Sequence, residues 1–275
     1  MGIAHSLATI DAVHHAHAAE RDAAVARDPV RFVHAYAARE DRELIALVAA
    51  LLAFGNVATI GRKLTELCAR LGARPHATLD GWTREQAVRA IGTFRHRTFR
   101  GADIARMLHA ARRMQRRTGS LYSDLARDTT AGLELRAALT AFAHALREAS
   151  FGARCDRSQK HLLPDPAAAS ACKRWLLLLR WLARPDDGVD LGLVAIPTRV
   201  LLVPLDVHVF RVARQLGLTR RRAASWKAAE DVTACLRRLD PDDPVKYDFA
   251  LCHTEIARRM SPAGKHAARR GTPRA

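Results

Sequence analysis

The chain of 275 residues carries 45 lysines and arginines against 28 aspartates and glutamates, a formal net charge of +17. This excess suggests a polyanionic partner such as nucleic acid, although 39 of the bases are arginines, which a GC-rich genome also favours. No apolar run is long enough to span a membrane and no secretion signal is recognisable at the N-terminus, so we expect a cytoplasmic protein.

Helices are the predicted elements, because alanine and leucine abound while aromatic residues make up only 5% of the chain. The N-terminal stretch is rich in Ala and His, and its histidines are expected to form a solvated helix face and not a metal site. The strongest helical signal, residues 41–71, is broken at Gly55-Asn56. The predicted helices of the first half cover residues 1–28, 41–54, 57–71, 83–91, 101–118 and 133–149.

The second half begins with a predicted polar loop at residues 152–164. Asp165-Pro166 then supplies an N-cap and a first-turn proline for a helix that ends at Arg184. A connection over 185–204 follows, then helices from Asp206, over 223–239 and over 245–260. Residues 261–275 are rich in Arg, Gly and Pro and are predicted to be disordered.

The segment from Val203 to Gly217 is the most informative part of the chain. Pro204 biases Val203 towards an extended conformation, so a helix is expected to start at Asp206 and to stop at Gly217. Asp206 is therefore a predicted N-cap, whose carboxylate accepts backbone N–H bonds and stays ionised. The same residue could merely cap the helix, or could stabilise a sugar oxocarbenium ion or orient a water molecule.

The stretch Val203-Pro204-Leu205-Asp206-Val207-His208 resembles the segment around the catalytic aspartate of the HhH-GPD base-excision DNA glycosylases, the endonuclease III and 8-oxoguanine DNA glycosylase group. The resemblance implies an all-α fold of two helical lobes with a cleft between them, one lobe covering about 41–204 and the other about 1–40 plus 205–260. It also implies Asp206 as a catalytic residue. Further segments, among them Phe54-Gly55-Asn56 and residues 171–174 and 243–251, resemble a bacterial family of unknown function related to these glycosylases.

Bifunctional glycosylases add a lysine that attacks the sugar, normally in a helix–hairpin–helix with a Gly-x-Gly loop. No lysine lies between Arg174 and Asp206, and residues 191–204 lack that hairpin, so the hairpin is expected to be degenerate. The nearest upstream lysine is Lys173, whose longer separation from the aspartate resembles the archaeal branch of 8-oxoguanine glycosylases. Lys173 could act as nucleophile if it were desolvated enough to be a neutral amine, or could belong to a solvated basic stripe with Arg180 and Arg184.

Four residues are predicted to contact nucleic acid: His208, Asn56, Arg180 and Arg211. Basic clusters at 95–100, 112–117 and 220–222 are further candidate phosphate contacts, and Tyr247 or Phe249 could stack on an extruded base or lie in the core. The five cysteines show no C-x-x-C pair, so no iron–sulfur cluster, metal or other cofactor is expected.

The leading hypothesis is a DNA glycosylase-like protein that flips and excises a damaged base, with or without a lyase step. It is expected to act on DNA as a monomer. The alternatives are a non-catalytic nucleic-acid-binding protein that keeps the fold, favoured by the missing hairpin, and a helical interaction module in which the charge reflects only the genome.

Overall fold

A computed structural model describes residues 2–16 and 25–253. These residues are mostly helical, which confirms the all-α prediction, and a two-residue hairpin is the single sheet among them. The elements are α1 (Ile3–Ala16), α2 (Arg31–His34), α3 (Arg39–Leu52), α4 (Val57–Leu71), α5 (Pro75–Asp80), α6 (Arg84–Ile91), β1 (Arg95–His96), β2 (Phe99–Arg100), α7 (Gly101–Thr118), α8 (Ser123–Thr130), α9 (Leu135–Phe151), α10 (Arg157–Leu162), α11 (Lys173–Ala183), α12 (Val207–Gln215), α13 (Trp226–Leu236) and α14 (Asp248–His253), with 3₁₀ turns at Thr198–Val200 and Pro244–Tyr247.

Helices α3 and α11 pack against each other at the centre of the core. Every residue of α3 from Leu44 to Leu52 is buried, and so is every residue of α11 from Arg174 to Leu182. Helices that are buried on all sides belong to the interior of a protein. Helix α11 therefore fixes the position of its first residue, Lys173, relative to the core.

A buried carboxylate joins α3 to the turn that follows α7. Glu43 has no solvent exposure, and its oxygens accept hydrogen bonds from the Ser120 hydroxyl at 2.6 Å and from the Leu121 backbone amide and the Gln115 side-chain amide, both at 2.8 Å. These donors compensate for the burial of the carboxylate. Glu43 therefore has a structural role, which is to hold α3 against α7 and the turn that follows it.

Several helix boundaries agree with the sequence predictions. The break at Gly55-Asn56 separates α3 from α4, α7 spans the predicted residues, and Thr83 caps α6 with a reciprocal bond to Gln86. Two predictions were wrong. The expected loop at 152–164 contains α10, whose capping box is formed by Asp156 and Gln159.

The second wrong boundary is the start of the helix predicted from Asp165-Pro166, because α11 begins only at Lys173. Asp165 accepts a hydrogen bond from the Ala167 amide, which closes a turn in place of a helix. The chain then forms an antiparallel bridge between Ser170 and Ser225. This detour places the N-terminus of α11 beside the segment that leads into α13.

The N-terminal helix packs against the end of the described chain. The Tyr247 hydroxyl donates to Asp11 at 3.3 Å, and the His14 ring meets the Tyr247 ring edge-on at 5.0 Å. Helix α1 thus contacts residues beyond 205. The predicted lobe boundaries stay predictions, and the tail at 261–275 lies outside the described residues. Within 2–16 and 25–253, no helix has both the length and the apolar content needed to cross a bilayer.

Candidate active site

Asp206 occupies the N-cap of α12, as the sequence predicted. Its backbone is extended, and its Oδ1 accepts hydrogen bonds at 2.8 Å from the amides of both His208 and Val209. The side chain is partly buried. Its second oxygen, Oδ2, makes no hydrogen bond or ion pair with any described residue, so one oxygen of a fixed carboxylate stays available for another group.

The amphipathic pattern of α12 holds this cap in place. The helix buries Val209, Phe210, Val212 and Ala213 against the core, and Gly217 follows it with a φ of +74°. The Leu218 amide closes the end by donating to the Ala213 carbonyl at 2.9 Å. Asp206 is therefore anchored by an ordered helix and not by a loose loop.

Lys173 is the first residue of α11 and is partly buried. The residue before it, Cys172, is buried and has a left-handed backbone with a φ of +48°. The Cys172 amide donates to the Ser170 hydroxyl at 3.1 Å. This turn, and not the predicted Asp165 cap, sets the direction in which Lys173 leaves the core.

Asp206 and Lys173 both lie within electrostatic reach of one thiol, that of Cys252 in α14. Burial raises the pKa of Cys252 well above its usual value, the carboxylates of Asp248 and Asp206 raise it further, and the cations Arg180 and Lys173 oppose the rise. The thiol contacts the Asp248 carboxylate at 3.4 Å. Two predicted catalytic side chains that are thirty-three residues apart in the sequence thus both influence the charge state of this one thiol.

Arg180 and Arg184 do not form a solvated stripe with Lys173, contrary to the expectation from the helical wheel. Arg180 is buried and its guanidinium contacts Asp248 at 2.5 Å and Asp190 at 3.2 Å. Arg184 is buried as well and pairs with Asp190 and Asp243. A guanidinium enclosed by carboxylates is not available to a phosphate, which argues against the predicted nucleic-acid contact of Arg180 and makes it part of the support for the site.

Asn56 is exposed at the start of α4, where its side-chain oxygen accepts from the Thr59 amide at 3.2 Å. The preceding Phe54 packs edge-on against His96 at 5.0 Å, with the Arg97 guanidinium 5.5 Å from its ring centre. In this turn, Asn56 is thus exposed, Phe54 packs against the aromatic side chains below it, and the Arg97 cation of the hairpin lies beside the Phe54 ring. The predicted role of Asn56 in nucleic-acid contact stays a prediction.

His208 and Arg211 lie on α12 beyond the cap and are partly buried. Arg211 lines a shallow groove of about 460 Å³ together with Val207, Phe210, Arg214 and Gln215. Sequence reasoning missed Arg214, although its i, i+3 relation to Arg211 places the two on one helix face. It also missed Cys252, for which no sequence signal existed.

Several backbone amides of the connection between α11 and α12 donate hydrogen bonds to other groups of the chain. The amides of Val189 and Asp190 donate to the Asp187 side chain, and that of Gly192 donates to the Arg184 carbonyl at 2.8 Å. The Leu191 amide donates to the Trp181 carbonyl at 2.7 Å. These donors are used within the chain, so they are not presented to an external phosphate.

Comparison with known proteins yields a family and no named activity. The model of one protein family, described as a protein of unknown function (DUF2400), matches residues 28–257, well over half of the chain. No curated protein and no solved structure matches the chain. The chain belongs to the DUF2400 family, whose model matches most of its length.

Proposed function

We propose that this protein is a DNA glycosylase-like enzyme that excises a damaged base, with Asp206 as its catalytic carboxylate. The observation that carries the proposal is the state of that side chain. Two backbone amides hold Oδ1 at 2.8 Å each while Oδ2 has no partner among the described residues. A capping role alone needs only one oxygen, so the second is free to face a sugar.

The chemistry follows from the position of this charge. When the N-glycosidic bond breaks, its electron pair leaves with the base and positive charge develops on the deoxyribose. A preorganised carboxylate stabilises that charge more effectively than water does, because it needs no reorganisation during the reaction. A water molecule then adds to C1′ and gives up a proton as the base gains one.

Lys173 supplies a second route through a lyase step. Its neutral amine would attack C1′ as the C1′–N bond breaks, and the proton that the amine loses would balance the one that the departing base gains. Cleavage of the C1′–O4′ bond, with a proton taken up by O4′, would then leave an imine between Lys173 and the sugar, and loss of a C2′ proton would expel the 3′ phosphate. Support comes from Cys252, whose thiol is influenced by both Lys173 and Asp206. The implied fold of two lobes with the substrate in the cleft is part of the same proposal, and the helical core is consistent with it.

Excision assays on duplexes with different damaged bases test this proposal. Asp206→Asn keeps an amide oxygen that can cap α12, so the protein should fold with little loss of stability. Removing the charge should lower the excision rate by about 100-fold or more. If the wild-type protein is active and the Asp206→Asn variant excises equally well, Asp206 is only a helix cap and the proposal is wrong.

Borohydride trapping separates the two chemical routes. If Lys173 attacks the sugar, the wild-type protein forms a covalent adduct with DNA and Lys173→Gln abolishes both adduct and excision. If water attacks, no adduct forms and Lys173→Gln keeps most of the excision rate. An adduct that survives Lys173→Gln would assign the nucleophile to another amine.

The second candidate is a non-catalytic nucleic-acid-binding protein with the same fold. It is favoured by the connection between α11 and α12, where the amides of Val189, Asp190 and Gly192 are used internally. A protein that binds damaged and undamaged duplexes equally and leaves every base in place would support this candidate.

A further inference from the structure

The outward face of α12 carries two adjoining grooves. The first, of about 460 Å³, is lined by Val207, Phe210, Arg211, Arg214 and Gln215. The second, of about 580 Å³, is lined by Ile3, Arg214, Gly217, Thr219 and Arg220. The two grooves meet at Arg214, which lines both. Together they make a depression whose lining extends from Val207, the residue after Asp206, to Arg220, beyond the end of the helix.

Three arginines of this depression, Arg211, Arg214 and Arg220, form what we term the α12 arginine strip. None of them makes an ion pair with a described residue. The nearby carboxylate of Asp231 is already engaged, because it pairs with Arg221 at 2.8 Å and accepts from the Thr219 hydroxyl at 2.9 Å. The strip therefore presents a positive charge that the described part of the chain does not neutralise.

The spacing of the strip suits a linear polyanion. Arg211 and Arg214 are three residues apart on one helix, which places their Cβ atoms about 5–6 Å from each other. A guanidinium presents a planar set of donors that can bind a phosphate through two parallel hydrogen bonds. Several arginines along a groove thus suit the successive phosphates of one nucleic-acid strand better than they suit a small, single anion.

An apolar side chain lies at the Asp206 end of the strip. Val207 directly follows the candidate catalytic carboxylate, and 73% of its surface is exposed, an unusual exposure for a large apolar residue. The Phe210 ring lines the groove one turn further on while keeping only 8% exposure. A single exposed valine is too little apolar surface to anchor a helix in a lipid interface, but it can pack against one sugar or base.

We propose that the α12 arginine strip binds the phosphodiester backbone of one nucleic-acid strand as it leaves Asp206, with Val207 packed against the first nucleotide beyond the site. This inference rests on the proposed function, because it takes nucleic acid as the substrate. It assigns the path of the strand, which follows α12 from residue 207 and continues past the end of the helix to residue 220. The strip also binds an undamaged strand, since phosphates carry no information about the base.

Binding of a fluorescent single strand to the full-length protein over a range of salt concentrations tests the strip. The variant Arg211→Gln/Arg214→Gln/Arg220→Gln should bind more weakly, and its plot of log K against log salt should be shallower by about 2, since each phosphate contact on a single strand contributes about 0.7. Arg221→Gln is the matched control, because Arg221 follows Arg220 but is paired with Asp231. Circular dichroism and thermal unfolding should show that all variants stay folded.

A triple variant with wild-type affinity and slope would overturn the proposal, and so would an Arg221→Gln variant with the same loss. Wild-type protein that binds vesicles of anionic lipid but no nucleic acid would also overturn it. The strip and the enzyme are tested separately, because Asp206→Asn leaves the three arginines in place and should not weaken binding. Binding through the strip without any excision would sink the proposed function alone, whereas excision that does not depend on the strip would sink the strip alone.

Discussion

At the scale of single residues, the same side-chain type serves opposite purposes in this protein. Arg180 and Arg184 point into the core and are neutralised by Asp190, Asp243 and Asp248. Arg211 lies on a groove with no carboxylate among the described residues to pair with it. Periodicity placed all of these arginines on helices, but it could not distinguish a buried guanidinium from an exposed one, because the acids that decide the matter come from distant parts of the chain.

Arg180→Leu should therefore lower the free energy of unfolding by about 3–5 kcal/mol, because it leaves the buried carboxylate of Asp248 without its cation and leaves Asp190 with Arg184 alone. The matched control is Arg127→Leu, which breaks exposed pairs with Asp124 and Asp128 and should leave the free energy of unfolding almost unchanged. Urea denaturation of both variants measures the difference. Equal small losses would show that Arg180 is exposed to solvent and available to a phosphate after all.

At the scale of elements, the helices with their own local signals were predictable. α7 was predicted over its full length, Asp206 was predicted as a cap residue, and the helix predicted from Thr83 begins one residue later, at Arg84, with Thr83 as its cap. The start of α11 was not, because Cys172 makes no side-chain cap and the apparent signal at Asp165 closes a turn. The electrostatic influence of Lys173 and Asp206 on the Cys252 thiol depends on how α11, α12 and α14 pack, which no local pattern encodes.

The hairpin β1–β2 provides a pH-dependent contribution to stability. Burial lowers the pKa of His96, and the Arg97 cation lowers it further, so the folded protein binds that proton less readily than the unfolded chain. Stability from this group is present above the unfolded pKa of about 6.5 and falls as the pH drops below it. The free energy of unfolding should decrease by up to about 1.4 kcal/mol per pH unit from this one group.

His96→Phe keeps an aromatic ring beside Phe54 and removes the titrating group. Its unfolding free energy, measured from pH 7.5 to 5, should decline less steeply than that of the wild type whatever the packing change costs. Replacement of the exposed His5 by Gln is the control. A His96→Phe variant with the wild-type slope would show that His96 titrates as freely in the folded protein as in the unfolded chain.

At the scale of the whole molecule, the net charge of +17 is the property that the sequence states most directly. The structure of the described residues shows which basic side chains pair with acidic ones and which do not. Glu43, Asp103 and Asp190 are buried acids with basic partners, so part of the positive charge is neutralised internally. Whether the remaining positive charge serves a partner is decided by binding and not by composition.

Affinity of the wild-type protein for duplex DNA should fall steeply between about 50 and 200 mM salt, because each neutralised phosphate contributes about −0.9 to the slope of log K against log salt. A peptide nucleic acid duplex of the same sequence has the bases but no phosphates and should not bind. Fluorescence anisotropy measures both. If no DNA binding is detected at low ionic strength, the excess of arginine reflects only genome composition.

The left-handed backbone at Cys172 has a consequence for which substitutions this position tolerates. A β-branched side chain is strongly disfavoured at a φ of +48°, whereas glycine or asparagine would adopt that conformation at little cost. Valine at 172 would therefore force the turn to open and would rotate the first residue of α11 before the buried part of the helix yields. A single substitution at position 172 should therefore change the orientation of Lys173 while the rest of the protein stays folded.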